Sequence, residues 1–157
     1  MAVVGGGEVD AATAAEAEEV GRYIARSGAV LLCGGLGGCM EAAAKGARDA
    51  GGTTVGLLPG FSRADANDYL DIALPTNLGE MRNMVLVNAA DAVIAVDGEF
   101  GTLSEIAFAL RVGTPVVGLK TWELAKQGRS STAIVTADSP EEAVATAIQL
   151  ARPNFTH

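Results

Sequence analysis

The sequence has few aromatic residues and fewer basic than acidic residues. Phe, Trp and Tyr make up 4% of its 157 residues, so the core must be built from aliphatic side chains and alanine. Lys and Arg number 11 against 19 Asp and Glu, which gives a formal net charge of −8. Affinity for nucleic acids comes chiefly from clustered Lys and Arg, and the sequence contains no such stripe. We therefore expect no nucleic-acid partner.

Cysteine and histidine are also scarce. Cys33 and Cys39 are too few for a disulfide framework and are not spaced as a C-x-x-C pair. We interpret Cys33 as a small apolar residue of a strand and Cys39 as the residue at a helix start. The sole histidine, His157, leaves too few ligands for a metal, so we expect no metal site.

Long hydrophobic runs are absent as well. No stretch of about 18 uncharged apolar residues occurs, and the first residues do not form a signal peptide. We expect a cytoplasmic protein without a membrane partner.

Short apolar strands alternate with helices along the chain. This alternation predicts βαβ units, whose right-handed crossovers place helices on both faces of a parallel sheet. The sequence therefore predicts a single α/β domain over residues 1–157, a doubly wound Rossmann-like fold with a mostly parallel sheet of about six or seven strands. The first strand is predicted in the apolar run that precedes the glycines of segment 2–7. Further strands are predicted at 29–33, 53–59, 71–76, 91–96, 114–119 and 132–137.

Several residues have the character of helix ends. Asp10 is predicted to cap the first helix and Gly28 to end it. Further helices are predicted up to about Asp49, over 79–90, over 101–112, and after Ser139, with Pro140 and Glu142 completing its first turn. The polar loop 60–69 is either a surface excursion or a cover for a site.

Glycines gather where three of the strands end. They are Gly5, Gly6 and Gly7, then Gly34, Gly35, Gly37 and Gly38, then Gly98 and Gly101. Ligands of open parallel sheets bind at the carboxyl ends of strands, and the N–H groups of a helix start favour anions. The pattern matches neither the dinucleotide fingerprint nor the P-loop. It predicts a phosphate-binding edge of another kind.

Two segments resemble a known family. "GGLGGCMEAAAKGARDAGG" (34–52) and "EMRNMVLVNAADAVIAVDGEFGTLSEIAFAL" (80–110) are similar to the LOG (Lonely Guy) superfamily of Rossmann-like proteins, over about residues 2–120. "GTLSEIAFAL", "GTPVVGL" and "TW" are most similar to the short branch that includes molybdenum-cofactor carrier proteins. The resemblance implies a homodimer or homotetramer, and the many apolar residues of the predicted helices 79–90 and 101–112 predict that the assembly buries part of this region. It implies either a carrier that binds its pterin cofactor without turnover or a phosphoribohydrolase that releases a base from a nucleoside monophosphate.

The resemblance also implies roles for individual residues. Arg82 falls on the arginine of the enzymes' Arg-Lys pair, and Glu105 on the second glutamate of their G-T-x-E-E segment, so these two are the catalytic pair if the protein is an enzyme. Asn83 replaces the lysine and Ser104 the first glutamate. Residues 97–100 replace a Pro-Gly-Gly segment.

The residues themselves leave two interpretations of this pair open. Arg82, one turn into a predicted helix of otherwise apolar positions, needs a carboxylate or phosphate partner. Together with Glu105 it could stabilise an oxocarbenium-like transition state, or the two could form a buried structural ion pair. The Thr102 hydroxyl is predicted to cap a helix or to donate to a phosphate.

The departures from the enzyme pattern favour binding over hydrolysis. We expect a phosphorylated small molecule, nucleotide-like or pterin, with no cofactor required and the molybdenum cofactor as a possible carried ligand. A phosphoribohydrolase is the alternative, and a nucleotide-sensing module partnered with another protein is a third. The candidate ligand-binding residues are Gly6, Gly7, Gly34, Gly35, Gly37, Gly38, Cys39, Met40, Arg82, Asn83, Gly98, Gly101, Thr102 and Glu105.

Overall fold

A computed structural model describes residues 1–151, which form a three-layer α/β arrangement. Seven parallel strands lie in the order β4-β3-β2-β1-β5-β6-β9, and a separate hairpin joins β7 to β8. The predicted fold class is confirmed. The elements are β1 (Ala2–Gly5), α1 (Ala11–Arg26), β2 (Leu31–Cys33), α2 (Cys39–Asp49), β3 (Thr54–Leu58), β4 (Ile72–Pro75), α3 (Arg82–Ala89), β5 (Val93–Val96), α4 (Phe100–Val112), β6 (Val116–Leu119), β7 (Ala125–Lys126), β8 (Arg129–Ser130), β9 (Ile134–Ala137) and α5 (Pro140–Leu150).

The direction of winding reverses between β1 and β5. The chain first lays β2, β3 and β4 on one side of β1, then crosses back and places β5 on the other side. β1 and β5 run side by side, with Gly5 opposite Val96 at their carboxyl ends. In open α/β sheets this reversal leaves a crevice outside the strand ends.

The two faces of the sheet carry different helices. Val3 and Ile94 point into a cluster with α1, α2 and α5, whereas Val4 and Ala95 point into a cluster with α3 and α4. All four side chains are at most 2% exposed. Strands buried on both faces explain why the sequence shows continuous apolar runs instead of alternation.

Helices α1 and α2 approach each other through glycine. A Cβ at Gly21 would lie 1.9 Å from the Ala43 carbonyl oxygen, and one at Gly46 would lie 1.8 Å from that of Glu18. Only glycine allows the two backbones this separation.

The predicted helix ends are largely confirmed. Asp10 Oδ1 accepts a hydrogen bond from the Thr13 N–H at 2.7 Å, and Ser139 Oγ accepts one from the Glu142 N–H at 3.2 Å. Gly28 follows α1 with φ of +79°. The position given to His157 lies outside the described residues.

Two helix starts differ from the prediction. Gly79–Met81 form a 3-10 turn, so Arg82 is the first residue of α3 and does not lie one turn into it. Helix α4 begins at Phe100, which makes Thr102 its third residue. The N-cap residue is Glu99, so the first alternative for Thr102, that it caps this helix, is wrong, while donation of its hydroxyl to a phosphate stays a prediction.

The β7–β8 hairpin was not predicted. Its turn residues, Gln127 and Gly128, have φ of 53° and 74°. Two consecutive positive φ angles are typical of a two-residue hairpin turn, and the Gln-Gly pair could have indicated it.

Over residues 1–151, no helix is long and apolar enough to cross a membrane. The same range contains no group of three or more His, Cys, Asp and Glu side chains that could hold a metal ion.

Candidate functional site

A cavity of about 400 Å³ lies at the point where the winding reverses. Four parts of the chain build it: the end of β1 with the loop after it, the region from Gly34 to the start of α2, the start of α3, and the start of α4. Its lining residues are Val3, Val4, Gly5, Gly6, Gly7, Glu8, Gly34, Met40, Arg82, Asn83, Glu99, Gly101, Thr102 and Glu105.

Most of the candidate residues come together in this cavity. Those that line it are Gly6, Gly7, Gly34, Met40, Arg82, Asn83, Gly101, Thr102 and Glu105. Sequence reasoning missed Glu8, which follows Gly7, and did not count Glu99 among the binding residues, because a carboxylate beside a phosphate repels it unless it points away or binds a sugar hydroxyl. It also missed Val3 and Val4, strand residues whose side chains carry no functional signal, and it placed Gly5 at the phosphate-binding edge without choosing it as a binding residue.

The candidates that do not line the cavity are Gly35, Gly37, Gly38, Cys39 and Gly98. Gly38, Cys39 and Gly98 each pack against a residue that does line it. Gly38, with φ of +64°, packs against the loop after β1, since a Cβ there would lie 2.3 Å from the Gly6 carbonyl oxygen. The same oxygen accepts the N–H of Cys39 at 3.0 Å. The start of α2 is therefore partly closed by this loop. Gly98 makes a similar close approach to Thr102, and Gly35 to Leu58.

Cys39 is buried beneath the cavity. Burial raises the pKa of its thiol to about 11, and its Sγ lies 3.6 Å from the Val96 carbonyl oxygen, to which the thiol can donate. A neutral thiol of this kind packs as a small apolar side chain. Cys39 is the first residue of α2, as predicted.

Arg82 is the central charged residue of the site. Its side chain is buried, with 7% of the residue exposed, and its guanidinium lies directly over Gly34, where a Cβ would be 2.1 Å from Nη1. Within residues 1–151 it forms no hydrogen bond and no ion pair within 4.0 Å, and its Nε is buried without an acceptor. Burial lowers the pKa of Arg82, and the charge of Glu105 opposes that shift. The structural ion pair considered from the sequence is thus not formed.

Glu105 and Asn83 face the same space. Glu105 is 8% exposed, and burial raises the pKa of its carboxyl group to about 7, with Arg82 opposing the shift. The Oδ1 atom of Asn83 is buried without a hydrogen-bond donor among the described residues. The cavity is thus lined by a hydrogen-bond donor, Arg82, and by two acceptors, Glu105 and Asn83 Oδ1, that form no hydrogen bonds with the described protein atoms.

The start of α4 forms the remaining wall. The Glu99 side chain accepts no hydrogen bond from the first turn, and the Cα of Gly101 faces open space. On the outer side, the Phe100 ring lies 5.5 Å from that of Trp122, whose Nε1 donates to the Glu99 carbonyl at 3.3 Å. The first N–H groups of the helix are therefore held in place beside the cavity, where a helix terminus favours an anion.

A protein-family model matches nearly the whole of this chain. The model of the SLOG cluster4 family matches residues 1–144. The chain belongs to the SLOG cluster4 family. A protein of the archaeon Archaeoglobus fulgidus, itself without an assigned function, is 48% identical over 120 residues, which are 76% of this chain and 79% of that protein.

Solved structures similar to this SLOG cluster4 protein include two that concern the molybdenum cofactor. The molybdenum cofactor binding protein of the phototrophic bacterium Rippkaea orientalis has a TM-score of 0.85 and 36% identity, covering 95% of this chain and 94% of that one. The molybdenum cofactor carrier protein of Chlamydomonas reinhardtii has a TM-score of 0.81 and 33% identity, covering 95% and 96%. The predicted resemblance to such carriers is confirmed, while membership in the wider LOG superfamily stays a prediction.

Proposed function

We propose that this protein binds a phosphorylated pterin or nucleotide-like small molecule in the cavity at the β1–β5 reversal, in the manner of a molybdenum-cofactor carrier. The observation that carries the proposal is the buried guanidinium of Arg82, which lines the cavity and forms no hydrogen bond and no ion pair within 4.0 Å among residues 1–151. The similarity to a binding protein and a carrier protein for this cofactor supports it.

The energetics of Arg82 favour an anionic ligand. Burial lowers the pKa of Arg82 despite the opposing charge of Glu105, so the charged form is still destabilised in the folded protein, and a phosphate group in contact with it offsets that cost. The N–H groups at the start of α4, beside Gly101, would hold the same phosphate.

The acidic residues limit which ligand fits. Glu8, Glu99 and Glu105 line the cavity with Arg82, so a bare phosphate would meet more negative than positive charge. A ligand that also offers hydroxyl or N–H donors satisfies these carboxylates, as a sugar or a pterin ring does. We infer that the carried molecule combines a phosphate with such a donor-rich part.

The side chains present fit a carried pterin phosphate. Arg82 and the first turn of α4 would hold the phosphate. Neither cysteine lines the cavity, so this chain would hold the cofactor through its organic part.

Native mass spectrometry of gently purified protein tests the proposal. We expect a retained phosphorylated molecule whose mass distinguishes a pterin from a nucleotide. Arg82→Ala should weaken its retention by on the order of 10- to 150-fold, since a hydrogen bond to a charged group is worth about 1.5–3 kcal/mol. Arg111→Ala, which removes an exposed arginine near the end of α4, is the matched control and should retain the molecule. Equal retention by both variants would contradict the proposal.

A phosphoribohydrolase remains the second candidate, on the strength of Glu105. A carboxyl group with a pKa of about 7 suits general acid or base catalysis near neutral pH. If the protein hydrolyses nucleoside monophosphates, Glu105→Gln should slow release of the base by on the order of 100-fold or more. Chromatographic detection of free base from AMP and GMP measures this, and a parent protein without turnover excludes the enzyme.

A further inference from the structure

A second pocket adjoins the cavity between α3 and α4. It has a volume of about 260 Å³ and is lined in part by Met81, Met84 and Phe108. Asn83 and Glu105 line both the pocket and the cavity, so they stand at the junction of the two. We call this space the α3–α4 pocket.

We propose that the α3–α4 pocket takes the planar ring of the ligand, and that Glu105 and Asn83 select a ring edge with adjacent N–H donors, as in guanine and pterins. This inference rests on the proposed function and adds the class of ring. It makes Glu105 and Asn83 determinants of specificity.

The layout of α4 separates a phosphate end from a ring end. A helix rises ~1.5 Å per residue, so Glu105 lies about 6 Å along the axis from Gly101, and Phe108 about 10 Å. The start of α4, which would contact the phosphate, lies about two turns before Phe108, the apolar residue that α4 contributes to the pocket. A sugar or a similar linker would occupy the space between them.

The apolar lining suits the faces of a flat ring. Thioether and aromatic side chains make favourable contacts with aromatic systems, and Met81, Met84 and Phe108 supply them. Such contacts hold any planar heterocycle, so they do not distinguish one ring from another.

The junction supplies the discrimination. Glu105 is 8% exposed and receives no hydrogen bond from residues 1–151, and Asn83 Oδ1 is likewise buried without a donor. Above pH 7 the carboxyl group of Glu105 is mostly ionised, and an ionised carboxylate accepts two hydrogen bonds side by side. Guanine and pterins offer a ring N–H next to an amino group and can donate both. Adenine offers one amino group beside a ring nitrogen lone pair, which would face the carboxylate unfavourably.

Calorimetric titration of the full chain with GMP and AMP tests the inference, because these probes share the phosphate and ribose. We expect the parent to bind GMP at least about 10-fold more tightly, since a site that hydrogen-bonds a ligand rejects an analogue lacking the donor. Glu105→Gln should lower the affinity for GMP about 10-fold and change the affinity for AMP by less than about threefold, so that the preference for GMP is lost. Arg111→Ala, the folding control, should keep it.

The outcomes separate this inference from the proposed function. If the parent binds GMP and AMP equally and Arg82→Ala weakens both, the anion site stands and the ring selection is overturned. If Glu105→Gln weakens both nucleotides alike, Glu105 does not select the ring and the inference is overturned as well. Binding of neither nucleotide by the parent overturns the ring selection too, and the retained molecule found by mass spectrometry then decides the proposed function alone.

Discussion

Replacing Glu105 with glutamine should stabilise the protein at neutral and alkaline pH. The carboxyl group is 8% exposed, accepts no hydrogen bond within residues 1–151, and has a pKa of about 7 against an ordinary value of 4.5. Ionising it in the folded state therefore costs free energy that ionising it in the unfolded chain does not. Glutamine has nearly the same shape and never carries that charge.

The pH window follows from the direction of the shift. Below pH 4.5 the group is protonated in both states and the pKa difference contributes nothing. Between 4.5 and 7 the unfolded chain releases its proton while the folded protein keeps it, so the parent loses stability as pH rises. Above 7 the loss is complete. The 2.5-unit difference corresponds to about 3 kcal/mol, since one pKa unit is ~1.36 kcal/mol.

Urea titrations of both proteins from pH 4 to 8, followed by the fluorescence of Trp122, measure the effect. We expect the free energies of unfolding of the two proteins to differ little at pH 4. At pH 8 we expect the Glu105→Gln variant to be more stable than the parent by about 3 kcal/mol. This corresponds to roughly 6–12 °C in Tm for a chain of this size. Other carboxylates titrate in both proteins and cancel in the difference. A difference that is constant with pH, or a less stable variant at pH 8, would refute the reasoning, because it would mean that protein groups stabilise the ionised form.

Three further changes test other parts of the structure. Gly34→Ala should displace the Arg82 guanidinium, because the Cβ would lie 2.1 Å from Nη1, and calorimetry should show ligand affinity lowered about as much as by Arg82→Ala. Gly21→Ala should instead cost about 1–3 kcal/mol of stability in urea titrations, because its Cβ would lie 1.9 Å from the Ala43 carbonyl oxygen, with ligand affinity kept in the folded fraction. Val85 is an apolar residue of α3 that is 44% exposed. Val85→Glu puts a charge on this surface and should dissociate the predicted homodimer or tetramer, as measured by sedimentation. A parent protein that is already monomeric refutes the predicted assembly.

The sequence was sufficient to predict the sheet and its helices. Strands such as Val93–Val96 are continuous apolar runs, and the polar and glycine residues between them mark the turns. These signals are local, so they can be recognised from one sequence. The strand order was not predicted; the structure supplies it and thereby places the point of reversal, and the cavity, at β1 and β5.

The internal geometry of the cavity could not be predicted in the same way. Gly34 was interpreted as a phosphate-loop glycine, yet its lack of a side chain makes room for Arg82, a residue 48 positions later. The contact depends on how α3 lies against the end of β2, and no local pattern encodes it. The prediction that Thr102 caps α4 failed for a local reason, since the helix starts at Phe100, two residues before Thr102.

The central position of β1 has a consequence for the synthesis of this chain. Ala2 pairs with Val93, so about 90 residues are synthesised after β1 before its neighbour β5 exists. At ~5–20 residues per second, a ribosome needs about 5–20 s to make that stretch. During this time β1 keeps one row of N–H and C=O groups unpaired, between two apolar faces that later become the core. The emerging amino-terminal half therefore carries an open strand edge that can pair with other chains, and its completion depends on the timely arrival of β5.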